Sequence, residues 1–217
     1  MVMVKNEPRW THMREKISTK DELVKELVKH VLKTPRIIDA FRTIDRRDFV
    51  PNRYRSAYRD VPLHIGRAQT ISQPYTVGLM LEQLQPDVGQ KILDVGSGSG
   101  WTTALLAHIV GKRGHVTGLE IVPKLVELGT ANVRKYDLPQ ASIQRSVEID
   151  EYRSDSQFDR ILVSAASKKV PRVLLENLRP GGIMVIPIQD SLLTIHKDSA
   201  GNLDIQKFEQ FAFVPLI

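Results

Sequence analysis

Five residues combine glycine, carboxylate and spacing in a way that suits a nucleoside ligand. Gly96, Gly98 and Gly100 alternate along Val95-Gly96-Ser97-Gly98-Ser99-Gly100, and Asp94 stands two residues before the first of them. Glu120 closes the next apolar run, His115 to Glu120. Glycine lets backbone approach a ligand with no Cβ in the way and tolerates positive φ. The interval is G-x-G-x-G, whereas a dinucleotide site, which must hold a pyrophosphate, reads G-x-G-x-x-G. A carboxylate at the second strand end can accept hydrogen bonds from both hydroxyls of a ribose. Asp94 adds a negative charge suited to an ammonium group, directly or through water. S-adenosylmethionine carries such a group next to its sulfonium.

The flanking residues supply elements to position these groups. Lys91 to Val95 is a short apolar run of the strand type, and Thr102 to Val110 has helical apolar spacing that stops at Gly111. Strand, glycine turn, helix, strand is the order of a parallel α/β sheet. Upstream, Thr19-x-x-Glu22 reads as a capping box ahead of a helical stripe, Leu23, Val24, Leu27, Val28, Val31 and Leu32. Thr34-Pro35 opens a second helix with the stripe Ile37, Ile38, Phe41 and Ile44. Residues 63 to 75 are polar, carry glycine and proline breaks and precede a helix from Val77 to Leu84. A loop so placed can close over a ligand at the strand ends. Downstream the pattern predicts a helix from Pro123 to Lys135 and strands at Ala141 to Arg145 and Phe158 to Ser164. A helix from Val170 to Leu178 and a strand from Gly181 to Pro187 come next. Two alternating runs, Ser191 to Lys197 and Ile205 to Phe213, close the chain as a hairpin around the turn-rich 198–202. The expected fold class is α/β: a doubly wound, mostly parallel sheet with N-terminal helices and a C-terminal antiparallel hairpin. A single domain is expected over 1–217, with a loose leader at 1–17, helices and ligand loop at 18–85 and the sheet from 86 onward.

Composition narrows the choices. The 217 residues are 41% hydrophobic and 26% charged, a globular balance with enough chain for a full core. There is no cysteine, which excludes disulfides, thiolate metal sites and cysteine nucleophiles. The six histidines show no metal-binding spacing, and neither a phosphate-binding G-x-x-x-x-G-K-S/T nor a G-x-S-x-G elbow occurs. No metal is expected. The start lacks the apolar core of a signal peptide and no run reaches transmembrane length, so a cytoplasmic location is expected. The net charge of +6 favours anionic partners weakly. Seven arginines between 42 and 67, with Tyr54 and Tyr58 among them, read either as an anionic-polymer surface or as a solvated loop with local pairing, the second being favoured.

Several motifs are more particular. Asp-Phe-Val-Pro (48–51), Ala-Tyr-x-Asp (57–60), Pro-Leu-x-Ile-Gly (62–66), Gln-Thr-Ile-Ser-x-Pro (69–74) and Asp-Val-Gly-Ser-Gly-Ser-Gly (94–100) succeed one another. Ser-Ala-Ala (164–166), Leu-x-Pro-Gly-Gly (178–182), Ile-Pro (186–187) and the terminal Phe-Val-Pro-Leu (213–216) continue the series. In these stretches, over roughly residues 20 to 217, the chain resembles the protein-L-isoaspartate O-methyltransferase family. The resemblance implies methyl transfer from the cofactor S-adenosylmethionine to the free α-carboxylate of L-isoaspartyl residues in damaged proteins and peptides.

It also implies site roles. Ser72 would be the active-site residue, holding the acceptor carboxylate by a hydrogen bond. Gln69, Thr70 and Ile71 would lie along the cofactor with Asp94, Gly96, Ser97, Gly98, Ser99, Gly100 and Glu120. Pro74, Ala166, Pro187, Val214, Pro215 and Leu216 would meet the substrate with Ser72. Read from local sequence alone, Ser72 is instead a helix cap, since it stands before Gln73-Pro74. The chain departs from the family at Ser146-Val147-Glu148, where Gly-Asp-Gly is usual, and Glu148 would take the cofactor contact of the missing Asp. It departs again at Ala68, at Tyr75 and at Ser167-Lys168-Lys169. Isoaspartyl proteins and peptides are the expected partners of a monomer, with neither membrane nor nucleic acid. Two alternatives stay open: another acceptor such as RNA, and a peptide-binding descendant without catalysis.

Overall fold

A computed structural model describes residues 17–51, 56–154, 156–209, 213 and 216. Its centre is a seven-stranded sheet. The strands are β3 (Lys91–Val95), β4 (His115–Glu120), β5 (Ala141–Arg145), β6 (Phe158–Val163), β7 (Leu178–Ile188), β8 (Ser191–Lys197) and β9 (Leu203–Glu209). They lie in the order β5-β4-β3-β6-β7-β8-β9. The first five run parallel, and β8 and β9 add antiparallel neighbours on the β7 side. This is the doubly wound sheet with a C-terminal hairpin that the sequence predicts. Chain direction across the sheet reverses between β3 and β6, and crevices for ligands form outside the strand ends at such a point.

Alternation along β3 divides its side chains between two cores. Ile92 packs in the cluster that includes helices α1 (Lys20–His30), α2 (Pro35–Thr43), α3 (Pro74–Leu84), α4 (Trp101–Val110) and α5 (Pro123–Val133). Leu93 and Val95 point the other way, into the cluster that holds Val173 and Leu174 of α6 (Arg172–Asn177). The capping box at α1 forms as expected, with the Thr19 side chain accepting from Glu22 N and Glu22 reaching back. At α2 the threonine does not cap its own helix. Thr34 donates instead to Glu82 of α3 at 2.7 Å, and Glu82 also accepts from the Lys33 and Thr34 amides. That ties the N-terminal helices to the helix after the ligand loop. Among the described residues no helix is long and apolar enough to cross a membrane.

Three local expectations are corrected. Residues 63–75 are not simply a loop: β1 (Leu63–Gly66) and β2 (Gln69–Ile71) form an antiparallel hairpin. Arg67 and Ala68 take left-handed φ of 55° and 59° at its tip, so the turn is made without glycine at 68. The predicted helix Val170 to Leu178 shortens to α6, because β7 begins at Leu178 and runs through Pro180-Gly181-Gly182. Ser72 is not the cap of α3. Gln73 occupies that position, and no side-chain capping bond is made there.

Packing between α5 and the glycine turn is close. A Cβ added to Gly129 of α5 would lie 2.8 Å from Ile143 Cδ1 and 3.0 Å from Gly98 O. Alanine at an ordinary helix interior position gains up to ~1 kcal/mol over glycine. Overpacking a tight site loses ~1–3 kcal/mol. Gly129→Ala is therefore expected to lower the thermal midpoint by several degrees, read by circular dichroism; a raised midpoint would contradict this packing.

Candidate active site

The glycine turn leaves β3 with φ of 78°, 53° and 89° at Gly96, Gly98 and Gly100, so every second residue is left-handed. Such backbone strongly favours glycine, which explains the G-x-G-x-G interval. The amides of Gly96 and Ser97 both donate to Leu119 O, at 2.8 and 3.0 Å, and fold the turn back over β4. At the end of β4, Glu120 is buried and lines the cleft. Its Oε2 accepts from Gly98 N and its Oε1 from Val122 N, each at 2.9 Å. Each oxygen can accept a further hydrogen bond.

These elements bound one cleft, concave and lined by apolar side chains with a few polar groups, as small-molecule sites are. One wall is the turn (Gly96, Ser97, Gly98, Ser99) and Glu120. The facing wall is the second strand of the hairpin and the residue after it: Gln69, Thr70, Ile71 and Ser72. Leu216 reaches the same cleft and is held by its amide donating to Ala166 O at 2.7 Å. The Ser72 hydroxyl makes no hydrogen bond among the described residues, although its carbonyl accepts from Arg46.

Other predicted residues lie elsewhere. Asp94 sits behind the turn and faces α4, because it shares the Ile92 face of β3. It is fully buried, and its Oδ2 accepts from Thr102 at 2.7 Å and Thr103 at 2.6 Å. Its Oδ1 is buried with no partner among the described residues. Gly100 is the N-cap of α4, where an added Cβ would meet Gly129 O at 2.9 Å. Pro74 starts α3, and Pro187 is buried in β7. Glu148 and Ala166 do not line the cleft but an adjoining hollow, with Lys168 and Lys169, which meets the cleft at Ile149 and Leu216. Val214 and Pro215 lie outside the described residues.

The cleft also holds residues that spacing did not reveal. Ser146, Val147 and Ile149 line it, on either side of Glu148. Trp101, Thr102 and Ser164 line it too. Ser164 belongs to the Ser-Ala-Ala motif, and its place just after β6 was the available signal; Trp101 had none. Ser97 Oγ, Ser164 Oγ and Trp101 Nε1 are buried without a partner among the described residues. Buried polar atoms ordinarily pair, so this lining fits a polar ligand such as a nucleoside with an amino-acid tail.

A family model described as protein-L-isoaspartate(D-aspartate) O-methyltransferase matches residues 18–217. The chain belongs to this family. A protein-L-isoaspartate O-methyltransferase 2 of Archaeoglobus fulgidus is 36% identical over 201 residues, covering 91% of this chain and 92% of that one. A protein-L-isoaspartate O-methyltransferase of Ignicoccus hospitalis is 37% identical over 205 residues, covering 91% and 97%. Among solved structures, a Plasmodium falciparum chain described as a protein-L-isoaspartate O-methyltransferase, in complex with S-adenosyl-L-homocysteine, aligns with a TM-score of 0.83 at 25% identity. It covers 93% of this chain and 99% of that one.

Burial pushes the Asp94 carboxyl up to about 6; Thr103 and Thr102 oppose this and the Glu120 charge adds to it. The folded pKa then lies above the ordinary 3.8. The stabilising contribution is full below pH ~3.8 and is lost as pH rises through ~6. Ionised Asp94 costs on the order of 3 kcal/mol at neutral pH. Asp94→Asn keeps an oxygen for both threonines and removes the charge. Its thermal midpoint relative to the unaltered protein is expected to rise between pH 4 and pH 7; a difference independent of pH would contradict the burial argument.

Proposed function

We infer that the protein transfers the methyl of S-adenosylmethionine to the α-carboxylate of L-isoaspartyl residues. The observation that carries this reading is that Gln69-Thr70-Ile71-Ser72 and the glycine turn, distant in sequence, line one cleft with Glu120. S-adenosylmethionine supplies an electrophilic methyl on a sulfonium, and neutral S-adenosylhomocysteine leaves once a carboxylate oxygen has taken it. A carboxylate with an ordinary pKa near 4 is already ionised at neutral pH, so no side chain here need remove a proton or attack carbon.

The chain's contribution is placement. Glu120 accepts from the ribose hydroxyls while its own orientation is held by Gly98 and Val122. The turn from Gly96 to Ser99 gives backbone approach, and Gln69, Thr70 and Ile71 close the opposite side. Ser146 and Ser164 offer polar contacts to the nucleoside in place of the Asp of Gly-Asp-Gly, and Glu148 belongs to the acceptor side. Ser72 donates its hydroxyl proton in a hydrogen bond to one carboxylate oxygen and leaves the other in line with the methyl. Orienting two reactants this way can supply ~7–11 kcal/mol. The acceptor peptide runs over Leu216 and Ala166. Asp94 acts from behind the turn on the ammonium group, through water or through its unpartnered oxygen. The protein acts as a monomer in the cytoplasm, and its partners are isoaspartyl proteins and peptides.

The test is transfer of labelled methyl to two peptides identical except for isoaspartyl or aspartyl at one position. Base-labile label on the isoaspartyl peptide alone is expected; equal label on both, or on neither, contradicts the assignment. Ser72→Ala removes a hydrogen bond to a charged acceptor, ~1.5–3 kcal/mol. It is expected to lower kcat ~10- to 100-fold while S-adenosylhomocysteine binding, followed by calorimetry, is unchanged.

A further inference from the structure

Among the described residues, Arg46 is the one arginine of the 42–67 stretch that lies in the buried set, with 1% exposure. Sequence reading favours a solvated residue there, and the structure overturns it. Arg46 comes soon after α2, in the short helical turn Arg46–Phe49. Its Nη1 donates to Ala57 O at 2.6 Å and Arg59 O at 3.4 Å. Its Nη2 donates to Val61 O at 3.0 Å and Ser72 O at 3.1 Å. The guanidinium carbon stands 5.4 Å from the centre of the Trp101 ring, which lines the cleft.

Among the described residues no carboxylate pairs with this cation. Asp60, fully buried, turns to the other side of the same turn. Its Oδ2 accepts from Gln73 Nε2 at 2.8 Å and its Oδ1 from Tyr75 N at 2.7 Å. Ser72 and Gln73 are thus gripped by two buried charges, one on the Ser72 carbonyl and one on the next side chain. Burial pulls the guanidinium down to about 9, with the charge of Asp60 opposing, which leaves it protonated at neutral pH. A buried cation costs free energy that an apolar side chain of similar size would avoid. The planar fork can take carbonyls from four positions in one plane, which neither an apolar side chain nor an ammonium can do.

We propose that Arg46 is a positioning residue for methyl transfer: it fixes the backbone of Ser72 against residues 57–61 and Trp101, and so sets where the Ser72 hydroxyl points. This rests on the role given to Ser72 above. An arginine that merely held the fold would lower stability and leave the contribution of Ser72 intact. An arginine that acts through Ser72 makes that contribution vanish when it is replaced.

The test is a double-mutant cycle on the full chain with Ser72→Ala and Arg46→Lys, reading kcat, KM for the isoaspartyl peptide, S-adenosylhomocysteine affinity and thermal midpoint. Arg46→Lys is expected to lower kcat ~10-fold or more with S-adenosylhomocysteine affinity within ~3-fold. Ser72→Ala should then cost under ~3-fold in the Arg46→Lys background against ~10-fold or more alone, since groups acting as a unit are non-additive. Full multiplication of the two losses, or an unchanged kcat in Arg46→Lys, overturns the assignment of Arg46 and leaves that of Ser72 standing. A harmless Ser72→Ala overturns both. Should Arg46→Lys not fold, Arg46→Gln, which leaves no buried cation, runs the same cycle with the same readings.

Discussion

The turn after β3 is the constraint on which the rest depends. Its left-handed residues fold the chain back over β4, so that Gly98 N reaches Glu120 and Gly100 touches the backbone of Gly129. With the turn set, Glu120 is held at the edge of the cleft, α4 leaves at a fixed angle and α5 lies close against it. A side chain at Gly100 or Gly129 would force α5 and the turn apart, because the neighbouring atoms include backbone that cannot rotate aside. Stability and ligand geometry therefore share one contact.

Two of the buried charges around the cleft, Asp94 and Arg46, are managed differently. Asp94 faces two threonine hydroxyls and keeps one oxygen unpartnered, so its ionisation is costly. Arg46 spreads its charge over four carbonyls, three from residues 57–61 and the fourth from Ser72 beyond the hairpin. Both sit one layer behind the surface that meets ligand. A reaction that needs no proton transfer asks the protein for alignment, and alignment is supplied by groups such as these that hold the lining in place.

The N-terminal helices contribute by the same logic. Glu82 of α3 collects three donors from Lys33 and Thr34, and Arg46, shortly after α2, carries that anchoring to Ser72. The hairpin that presents Gln69 to Ser72 is thus fixed from below by helices that precede it in the chain.

Much of this was legible in the sequence. The strand, glycine turn, helix, strand series and its two acids arise from local periodicity and from backbone that favours glycine, and both are properties of neighbouring residues. The motifs from 48 to 74 carried the family. Tertiary structure decided the rest, for reasons of distance. Asp94 belongs behind the turn because alternation along β3 sends it to the α4 face, and which face carries α4 is not a local property. Ser72 looks like a cap beside Gln73-Pro74, yet the cap falls on Gln73, since the hairpin and the Arg46 contact fix the chain before the helix begins. Glu148 stands between two cleft-lining residues, Val147 and Ile149, and lines the adjoining hollow instead, a placement that the loop after β5 sets. Arg46 reads as one charge among seven in a polar stretch. Its burial is decided by four carbonyls from residues 11 to 26 positions away, and carbonyl groups leave no trace in residue identity.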